Sequence, residues 1–475
     1  MRASGERLRR IIVDCSHIAP HPAPTGIPRV VMNYVEHGTP VAARAGVEVL
    51  CAEAGPDGFH LRDLGPIAAA EVRARKPIGL KLKLEAARYG ARLLAALARL
   101  AAALVPARGV RRAMAQLEAF SLDMVPAMQR RRAVRRSPPG RRLELGRGDI
   151  LFCPGYWHDT ETSAYARARA AGAEVVFLVH DILPVTMPAH YVYPWRQEFE
   201  ARLSASLDVV SHYYCISGET LRSLKAHAAW QGHSPRASIA YNGFDPEPPA
   251  HGEVPAALDA VLAEAPWLMV GTLEPKKGHE DAIAVFSHLW RAGYARPLVL
   301  IGRRGWMSEP IRDIIQTSPW LGTRLFWFDG LDDGAVATAY RKAHALLFAS
   351  EAEGFGLPLL EAVSHGVPVL TRDIAVAREV LGEGDFYFKG RAGLVAALTE
   401  MESPVRRAAV RERQARMVWW DWASVAEAVV TDLMRAPDAR GVGEVVLDPS
   451  RRRPVVQARK SGTDVEMLKK VASIG

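Results

Sequence analysis

Short apolar runs alternate with helix-like segments along most of the chain, and this alternation constrains the fold more than any other feature. Buried parallel strands have this length and composition, and crossover helices separate them in α/β proteins. The pattern occurs twice, before and after the proline-rich segment 246–249, which is typical of a linker. We therefore expect two parallel-sheet halves that enclose a cleft. The predicted strands are 11–14, 149–153, 174–179, 209–216, 267–270, 297–301, 324–328, 343–349 and 367–371.

The size and composition of the chain limit its class. With 475 residues, 49% of them hydrophobic, it can fill the cores of two or three domains. Its start, MRASGERLRR, is charged and unlike a secretory leader, and no apolar run approaches the ~20 residues that span a bilayer. The four cysteines are scattered without metal-ligand spacing, as in proteins of reducing compartments. We therefore expect a cytoplasmic protein.

The positive charge is concentrated in one segment. Residues 71–147 contain 19 Lys and Arg against 5 acidic residues, a balance of +14, which leaves −5 for the rest of a chain whose total is +9. Within it, 79–105 has a helical pattern with leucines on one face and basic residues on another. The leucines could pack on the domain, or they could face acyl chains while the arginines face anionic lipid head groups. Both interpretations of 79–147 stay open, so the protein could be peripheral at the inner face of the plasma membrane.

Nucleic acid is a less suitable partner for this basic segment. Its arginine clusters at 130–132, 135–136 and 141–142 have few aromatic residues between them for base stacking. No recognised nucleic-acid motif accompanies them. The clusters are typical of a flexible basic loop, and we expect no nucleic-acid binding.

In the first half, two features lie where open α/β sheets bind ligands, at the carboxyl ends of predicted strands. Gly26 lies between the first strand and an apolar run, 30–35, that suits a helix. His180 directly follows the strand 174–179. Each has an ordinary structural explanation as well: Gly26 can simply turn the chain, and His180 can be satisfied by a backbone carbonyl. Neither feature identifies a site by itself.

In the second half, two glycine-containing loops point to phosphate chemistry. Residues 271–278, GTLEPKKG, place Lys276 and Lys277 at a strand-to-helix turn, where ammonium groups can neutralise phosphate oxygens. Residues 350–361, SEAEGFGLPLLE, contain two acids and glycines that open a helix near Pro358. The free amides of that helix start would favour an anion. Together the two loops predict a diphosphate clamp.

These motifs carry a resemblance to a known family. EGFGLPLLE, VGTLEPKKGHEDAI, TGIPRV and VHDILP together resemble glycosyltransferase family 4, over residues 10–62 and 149–433. The resemblance implies a GT-B fold, in which two Rossmann-like domains face each other across a cleft. It implies transfer of a sugar from a nucleotide donor with retention of configuration. It is closest to bacterial enzymes of surface-polysaccharide and lipopolysaccharide assembly, many of which use GDP-mannose.

The resemblance also implies roles for individual residues. Glu361 would bind the ribose hydroxyls of the donor, Glu353 would hold the transferred sugar, and Lys277 would bind the diphosphate. His180 would contact the sugar from the first domain. The remaining donor-binding residues implied are Gly26, Thr272, Lys276 and the backbone amides of Phe355, Gly356 and Leu357.

One departure from the family concerns the phosphate ligands. Many relatives have arginine or serine where Thr272 stands, so a second cationic ligand is either missing or supplied by Lys276. The sequence offers no acidic metal pair, and we expect neither a metal nor another cofactor, with lysines and a helix terminus in place of a divalent cation. Front-side attack by an acceptor hydroxyl would follow, with Glu353 as a positioner rather than a nucleophile.

The predicted organisation has four parts. Residues 1–245 form the acceptor-side domain, with the basic insertion 63–148 that the family pattern lacks, and 246–418 form the donor-binding domain. Residues 419–440 form a helix that returns to the first domain, and 441–475 a loose tail. The acceptor would be a glycan or lipid-linked saccharide. A UDP-sugar-dependent transferase, a sugar-nucleotide epimerase and a non-catalytic GT-B-like binding protein remain alternatives.

Overall fold

The computed structural model of the chain describes residues 8–16, 18, 26–64, 140–246, 252–384, 386–441, 443–445 and 447–456. Within these residues the backbone forms two large sheets, one in each half of the chain. The strands are β1 (Arg10–Asp14), β2 (Glu48–Gly55), β3 (Gly58–Leu61), β4 (Asp149–Cys153), β5 (Glu174–Val179), β6 (His212–Cys215), β7 (Ala237–Ile239), β8 (Trp267–Val270), β9 (Leu298–Ile301), β10 (Leu325–Phe328), β11 (Ala345–Phe348), β12 (Val369–Arg372), β13 (Tyr387–Phe388), β14 (Val418–Trp419), β15 (Gly443–Glu444) and β16 (Arg453–Pro454).

Helices connect the strands. They are α1 (Ile27–Arg44), α2 (Thr162–Ala170), α3 (Leu183–Thr186), α4 (Trp195–Ser206), α5 (Gly218–Trp230), α6 (Ala256–Leu262), α7 (His279–Arg291), α8 (Glu309–Gln316), α9 (Asp333–Lys342), α10 (Leu357–Ser364), α11 (Ala375–Leu381), α12 (Gly390–Glu400), α13 (Pro404–Ala415) and α14 (Trp422–Met434). None of these helices has the length and hydropathy needed to cross a bilayer.

The first sheet has the order β15-β7-β6-β5-β4-β1-β2-β3, and all its pairings are parallel except β2 with β3. The central strands β4 and β5 are buried at every position because helices cover both faces. The second sheet is wholly parallel, in the order β10-β9-β8-β11-β12-β13. The predicted parallel α/β architecture of both halves is confirmed.

The C-terminal helix α14 packs against the first domain. Trp422 makes an edge contact with Tyr34 of α1, at 5.9 Å between ring centroids. Asp432 accepts a hydrogen bond of 2.7 Å from the hydroxyl of Tyr214 on β6. Beyond the helix, the buried guanidinium of Arg440 lies 2.6 Å from Glu174, at the start of β5. Residues 422–440 therefore pack against the first domain.

Two segments are more ordered than the sequence predicted. The tail from 441 was expected to be loose, but β15 adds to β7 and β16 pairs with β14, because edge strands offer unpaired backbone groups. At the end of the basic insertion, Leu143 donates its backbone N–H to Phe59 of β3. The amphipathic prediction for 79–105 and the arginine clusters at 130–136 lie outside the described residues, as do 457–475.

Candidate functional site

The strand order of the second sheet locates a ligand crevice. The chain winds outward from β8 to β9 and β10, then returns to β11 on the other side of β8. Ligands bind beyond the carboxyl ends of the strands at such a reversal, because the flanking loops diverge there. The two loops involved are 271–278, after β8, and 349–356, after β11. Both were selected from the sequence for their glycines, lysines and acids.

Backbone contacts press these loops together. The N–H of Glu351 donates to the carbonyl of Lys276 at 2.8 Å. Gly278 has φ 71°, and a side-chain carbon there would lie 2.2 Å from the carbonyl oxygen of Ala349. Only glycine allows this approach. As a result the ammonium of Lys277 meets the carboxylate of Glu353, with 2.6 Å between Nζ and Oε1.

Two helices begin at the same edge with free amide groups. Gly356, with φ 95°, precedes α10, and Gly278 precedes α7; neither supplies a side-chain cap. The first amides of a helix and its positive dipole end attract anions. The Phe355 ring is buried against Trp419, at 5.6 Å between centroids, so this residue can present only its backbone to a ligand. Leu357 is the first residue of α10.

Buried charges surround the Lys277–Glu353 pair. The ammonium of Lys276 is buried 3.8 Å from Glu353 and 3.9 Å from Glu274. Burial opposes the charged form of Lys276, but Glu353, Asp181 and Glu274 outweigh it and raise its pKa. Burial likewise opposes the ionised form of Glu353, but Lys277 and Lys276 outweigh it and lower its pKa. Glu353 is therefore a buried carboxylate that keeps its negative charge.

This environment bears on the predicted role of Lys276. Its ammonium is held between two carboxylates and lies 5.9 Å from the ring centre of Trp306, rather than open to the crevice. Lys277 is the more exposed of the two lysines, at 18% against 8%. A contact of Lys276 with the diphosphate stays a prediction, and the geometry favours a supporting role for it behind Glu353.

Glu274 is the least favourably placed acid of the group. Burial raises its pKa from the ordinary 4.5 to about 7, although Lys276 and Lys277 act against this. Because the folded-state pKa is the higher one, the associated stability is fully present below pH 4.5 and is lost as the pH rises through about 7. Glu274 should therefore destabilise the protein in alkaline solution.

Glu274→Gln tests this consequence, because glutamine mimics the neutral acid. At pH 8 the variant should have a free energy of unfolding about 3 kcal/mol above wild type, and at pH 5 the difference should fall to about 1 kcal/mol or less. Urea denaturation at both pH values measures this. The exposed Glu412, which pairs with Arg416, provides a control Glu→Gln change with no such pH dependence. A variant less stable than wild type at pH 8 would refute the explanation.

Glu361 lies in the second turn of α10, where its Oε2 accepts a hydrogen bond of 2.9 Å from the hydroxyl of Tyr340. Tyr340 is buried and stacks on His365, with ring centroids 5.4 Å apart. This support fixes the carboxylate one turn into α10, the helix that begins at the carboxyl edge of the sheet. Such a carboxylate can accept hydrogen bonds from a pair of hydroxyl groups.

His180 meets the same crevice from the first domain. Its Nε2 lies 2.8 Å from the carbonyl oxygen of Pro154 and must donate, so Nδ1 is an acceptor in the neutral ring. Burial lowers the pKa of His180, which favours that neutral form. A side-chain carbon at Gly354 would lie 2.1 Å from the His180 carbonyl oxygen, so the loop containing Glu353 touches this residue. The structure thus places the backbone of His180 against the loop that carries Glu353, which in turn pairs with Lys277.

Gly26 and Thr272, the other two predicted donor-binding residues, lie at the margins of the crevice. Gly26 has φ 63° and precedes α1, with open space around it. Thr272 faces the neighbouring loop, since its methyl carbon would lie 2.7 Å from a side-chain carbon at Gly305. Their contacts with a donor stay predictions.

Sequence reasoning missed the residues that join the domains at this site. The indole of Trp306 donates to the carbonyl of His190 at 2.9 Å and stacks on Tyr191 at 5.4 Å between centroids. His190 lies 3.4 Å from Glu351. Only the adjacency of Glu274 to the lysine pair was visible in the sequence; the other contacts depend on how the two domains meet.

Comparison with known proteins adds to this geometry. Residues 261–410 match the family described as glycosyl transferases group 1. This match covers 150 of the 475 residues, and we call the segment the group 1 domain. This range contains Lys277, Glu353 and Glu361, and it covers the second sheet as far as β13. The predicted membership among glycosyltransferases is confirmed.

Relatives extend the similarity beyond the group 1 domain. A serotype-specific mannosyltransferase WbdA of Escherichia coli is 34% identical over 285 residues, which is 57% of this chain and 35% of that protein. O-antigen chain mannosyltransferase B of Escherichia coli is 33% identical over 140 residues, 29% of this chain and 34% of that protein. The chain thus spans about a third of the length of these curated relatives.

Solved structures match over most of the chain. Sucrose-phosphate synthase from Thermosynechococcus elongatus superposes with a TM-score of 0.52 at 15% identity, covering 88% of this chain and 96% of that one. Anabaena HepE in complex with UDP and glucose superposes with a TM-score of 0.50 at 15% identity, covering 90% and 99%. The predicted GT-B fold, with the group 1 domain as its second half, is confirmed.

Proposed function

We propose that the protein is a retaining glycosyltransferase of family 4. It transfers a hexose from a nucleotide-sugar donor to a glycan or lipid-linked saccharide in cell-surface polysaccharide assembly. The observation that carries the proposal is the pairing of Lys277 with the buried carboxylate of Glu353 at the reversal point of the second sheet. A nucleoside diphosphate supplies the anion and a sugar the hydroxyl groups that this site suits.

The charge arrangement gives each lysine a role. When a diphosphate enters, Lys277 can turn its ammonium from Glu353 toward a phosphate oxygen. Glu353 then keeps Lys276, which lies 3.8 Å away on the buried side. Breaking a buried ion pair costs several kcal/mol when one charge is left alone, about 3–5 kcal/mol in measured cases. The second lysine reduces that cost.

The chemistry follows from where charge develops. As the bond between the anomeric carbon and the phosphate oxygen breaks, the sugar becomes positive and the phosphate negative. Lys277 and the first amides of α10 stabilise the phosphate. An acceptor hydroxyl attacks from the same face as the leaving group, and the departing phosphate takes its proton, so configuration is retained. Glu353 acts as a positioner of the sugar hydroxyls rather than as a nucleophile, because each of its two oxygens lies near a lysine ammonium.

Mannose from GDP-mannose is the first donor to test, because the relatives at 33–34% identity are described as mannosyltransferases. UDP sugars are the alternative. A metal is not needed in this scheme, since Lys277 and the helix amides provide the positive potential. Contact of residues 79–147 with an anionic membrane surface, and a cytoplasmic or membrane-peripheral location, remain part of the proposal.

A thermal-shift panel in the presence of EDTA tests the proposal. A ligand at one hundred times its dissociation constant stabilises the folded state by about 2.7 kcal/mol, and GDP-mannose is expected to do so without a divalent metal. GDP, UDP and UDP-glucose serve as comparisons, with release of the nucleoside diphosphate as the activity assay. Stabilisation only after Mg²⁺ or Mn²⁺ is added would contradict the metal-free site. No stabilisation and no turnover with any nucleotide sugar would contradict the enzyme.

A further inference from the structure

We infer that a cavity between the two domains, beside the donor crevice, binds the acceptor and selects a neutral saccharide over an anionic one. The inference rests on the proposed function and specifies its acceptor. The cavity has a volume of about 390 Å³, within the range of small-molecule sites. Because both domains line the cavity, the complete binding site exists only when the two domains meet.

Both halves of the chain form the walls. Residues 181–187 and 219–223 line the cavity from the first domain, and 351–353 and 374–376 line it from the second. Glu353 is part of this lining and also pairs with Lys277 of the donor crevice. A ligand in the cavity therefore lies beside the carboxylate that we propose holds the transferred sugar, which is where an attacking hydroxyl is needed.

The wall chemistry indicates what the ligand is. Four carboxylates line the cavity: those of Asp181, Glu219, Glu351 and Glu353. The described lining contains no lysine or arginine. Carboxylates accept hydrogen bonds and cannot donate them, so they match sugar hydroxyls. Thr220 and Ser223 add hydroxyl groups, and Ile182 and Ile374 add apolar surface for the C–H face of a sugar ring.

The basic partners of three of these four acids lie outside the lining. Glu219 pairs with Arg222 at 2.7 Å, Glu351 with His190 at 3.4 Å and Glu353 with Lys277 at 2.6 Å. None of these basic partners belongs to the described lining, so the cavity surface presents the carboxylate oxygens. A phosphorylated or uronic acid acceptor would meet those oxygens first, and juxtaposed like charges oppose binding. Neutral hydroxyl groups meet no such barrier.

Ser223 is a suitable position for a test because it lines the cavity from α5 and belongs to none of the groups that contact the donor in our scheme. Ser223→Trp would fill the cavity. The control is Ala229→Trp, an exposed position on the same helix. Release of nucleoside diphosphate is measured alone and with methyl glycosides of mannose, glucose, galactose and N-acetylglucosamine, and with mannose 6-phosphate and methyl glucuronide. Donor hydrolysis without acceptor reports the donor site and the fold.

Wild type should be stimulated by at least one neutral glycoside and about tenfold less by the anionic sugars. Ser223→Trp should raise the acceptor KM at least about tenfold while donor hydrolysis stays within about twofold, and Ala229→Trp should match wild type. An unchanged acceptor KM in Ser223→Trp would overturn the inference. So would stimulation by anionic sugars alone, or no stimulation despite donor hydrolysis. Wild type that neither hydrolyses nor transfers any donor would overturn the proposed function as well.

Discussion

Lys277→Ala is expected to lower kcat by about 10²–10³-fold, because groups that stabilise developing negative charge in a dry site have effects of this size. Lys277 is the more exposed of the two lysines at the crevice, and its ammonium lies 2.6 Å from Glu353. Lys276 cannot replace it, since its ammonium is buried between Glu353 and Glu274. Steady-state release of nucleoside diphosphate measures the change.

The structure offers a matched control for this substitution. Lys342 forms an ion pair of the same length, 2.6 Å, with Asp259 on the surface. Lys342→Ala removes an equivalent contact away from the crevice and should leave kcat within about twofold, since exposed ion pairs contribute at most about 1 kcal/mol. Lys277→Arg keeps the charge and should recover part of the activity. A Lys277→Ala protein that is folded by circular dichroism and works within about fivefold of wild type would contradict the role.

Substitutions of the two acids should separate donor binding from turnover. Glu353→Gln should lower kcat about 100-fold, because the neutral amide positions the sugar poorly and leaves Lys276 and Lys277 without their shared carboxylate. Glu361→Gln should instead raise the donor KM about tenfold with kcat little changed, since hydrogen bonds to a charged group contribute about 1.5–3 kcal/mol.

Full donor saturation curves for both variants measure this division of roles. Glu412→Gln, an exposed acid paired with Arg416, is the control and should match wild type in both constants. The KM measurement must precede the comparison of kcat, so that Glu361→Gln is saturated with donor. Parallel losses in the two variants would mean that Glu353 and Glu361 act as one unit.

Much of the fold could be predicted because buried parallel strands occur in the sequence as uninterrupted apolar runs. The runs at β4, β5 and β8 agree with the structure to the residue. The hairpin of β2 and β3 was missed, although Asp57-Gly58, where the turn leads into β3, is a turn signal. The two-residue strands β15 and β16 have no periodic sequence pattern. Their extended conformation comes only from pairing with β7 and β14, respectively.

The sequence predicted where the candidate site lies, but it did not predict the charge states of the acids there. Glycines and lysines at strand ends indicated the loops that carry Lys277 and Glu353. The pKa of Glu274 is raised first by its burial and then by the charges of Glu353 and Asp181, which come from distant parts of the chain. The support of Glu361 by Tyr340 and the stacking of Trp306 on Tyr191 are likewise tertiary contacts with no local sequence pattern.

Retaining glycosyl transfer is tested most directly by proton NMR of a reaction that contains GDP-mannose and a neutral saccharide acceptor. We expect GDP to appear together with a new glycosidic signal whose anomeric configuration is that of the donor, in the presence of EDTA. A product of inverted configuration would contradict front-side attack. A product that still carries the nucleotide would contradict glycosyl transfer itself and indicate an epimerase.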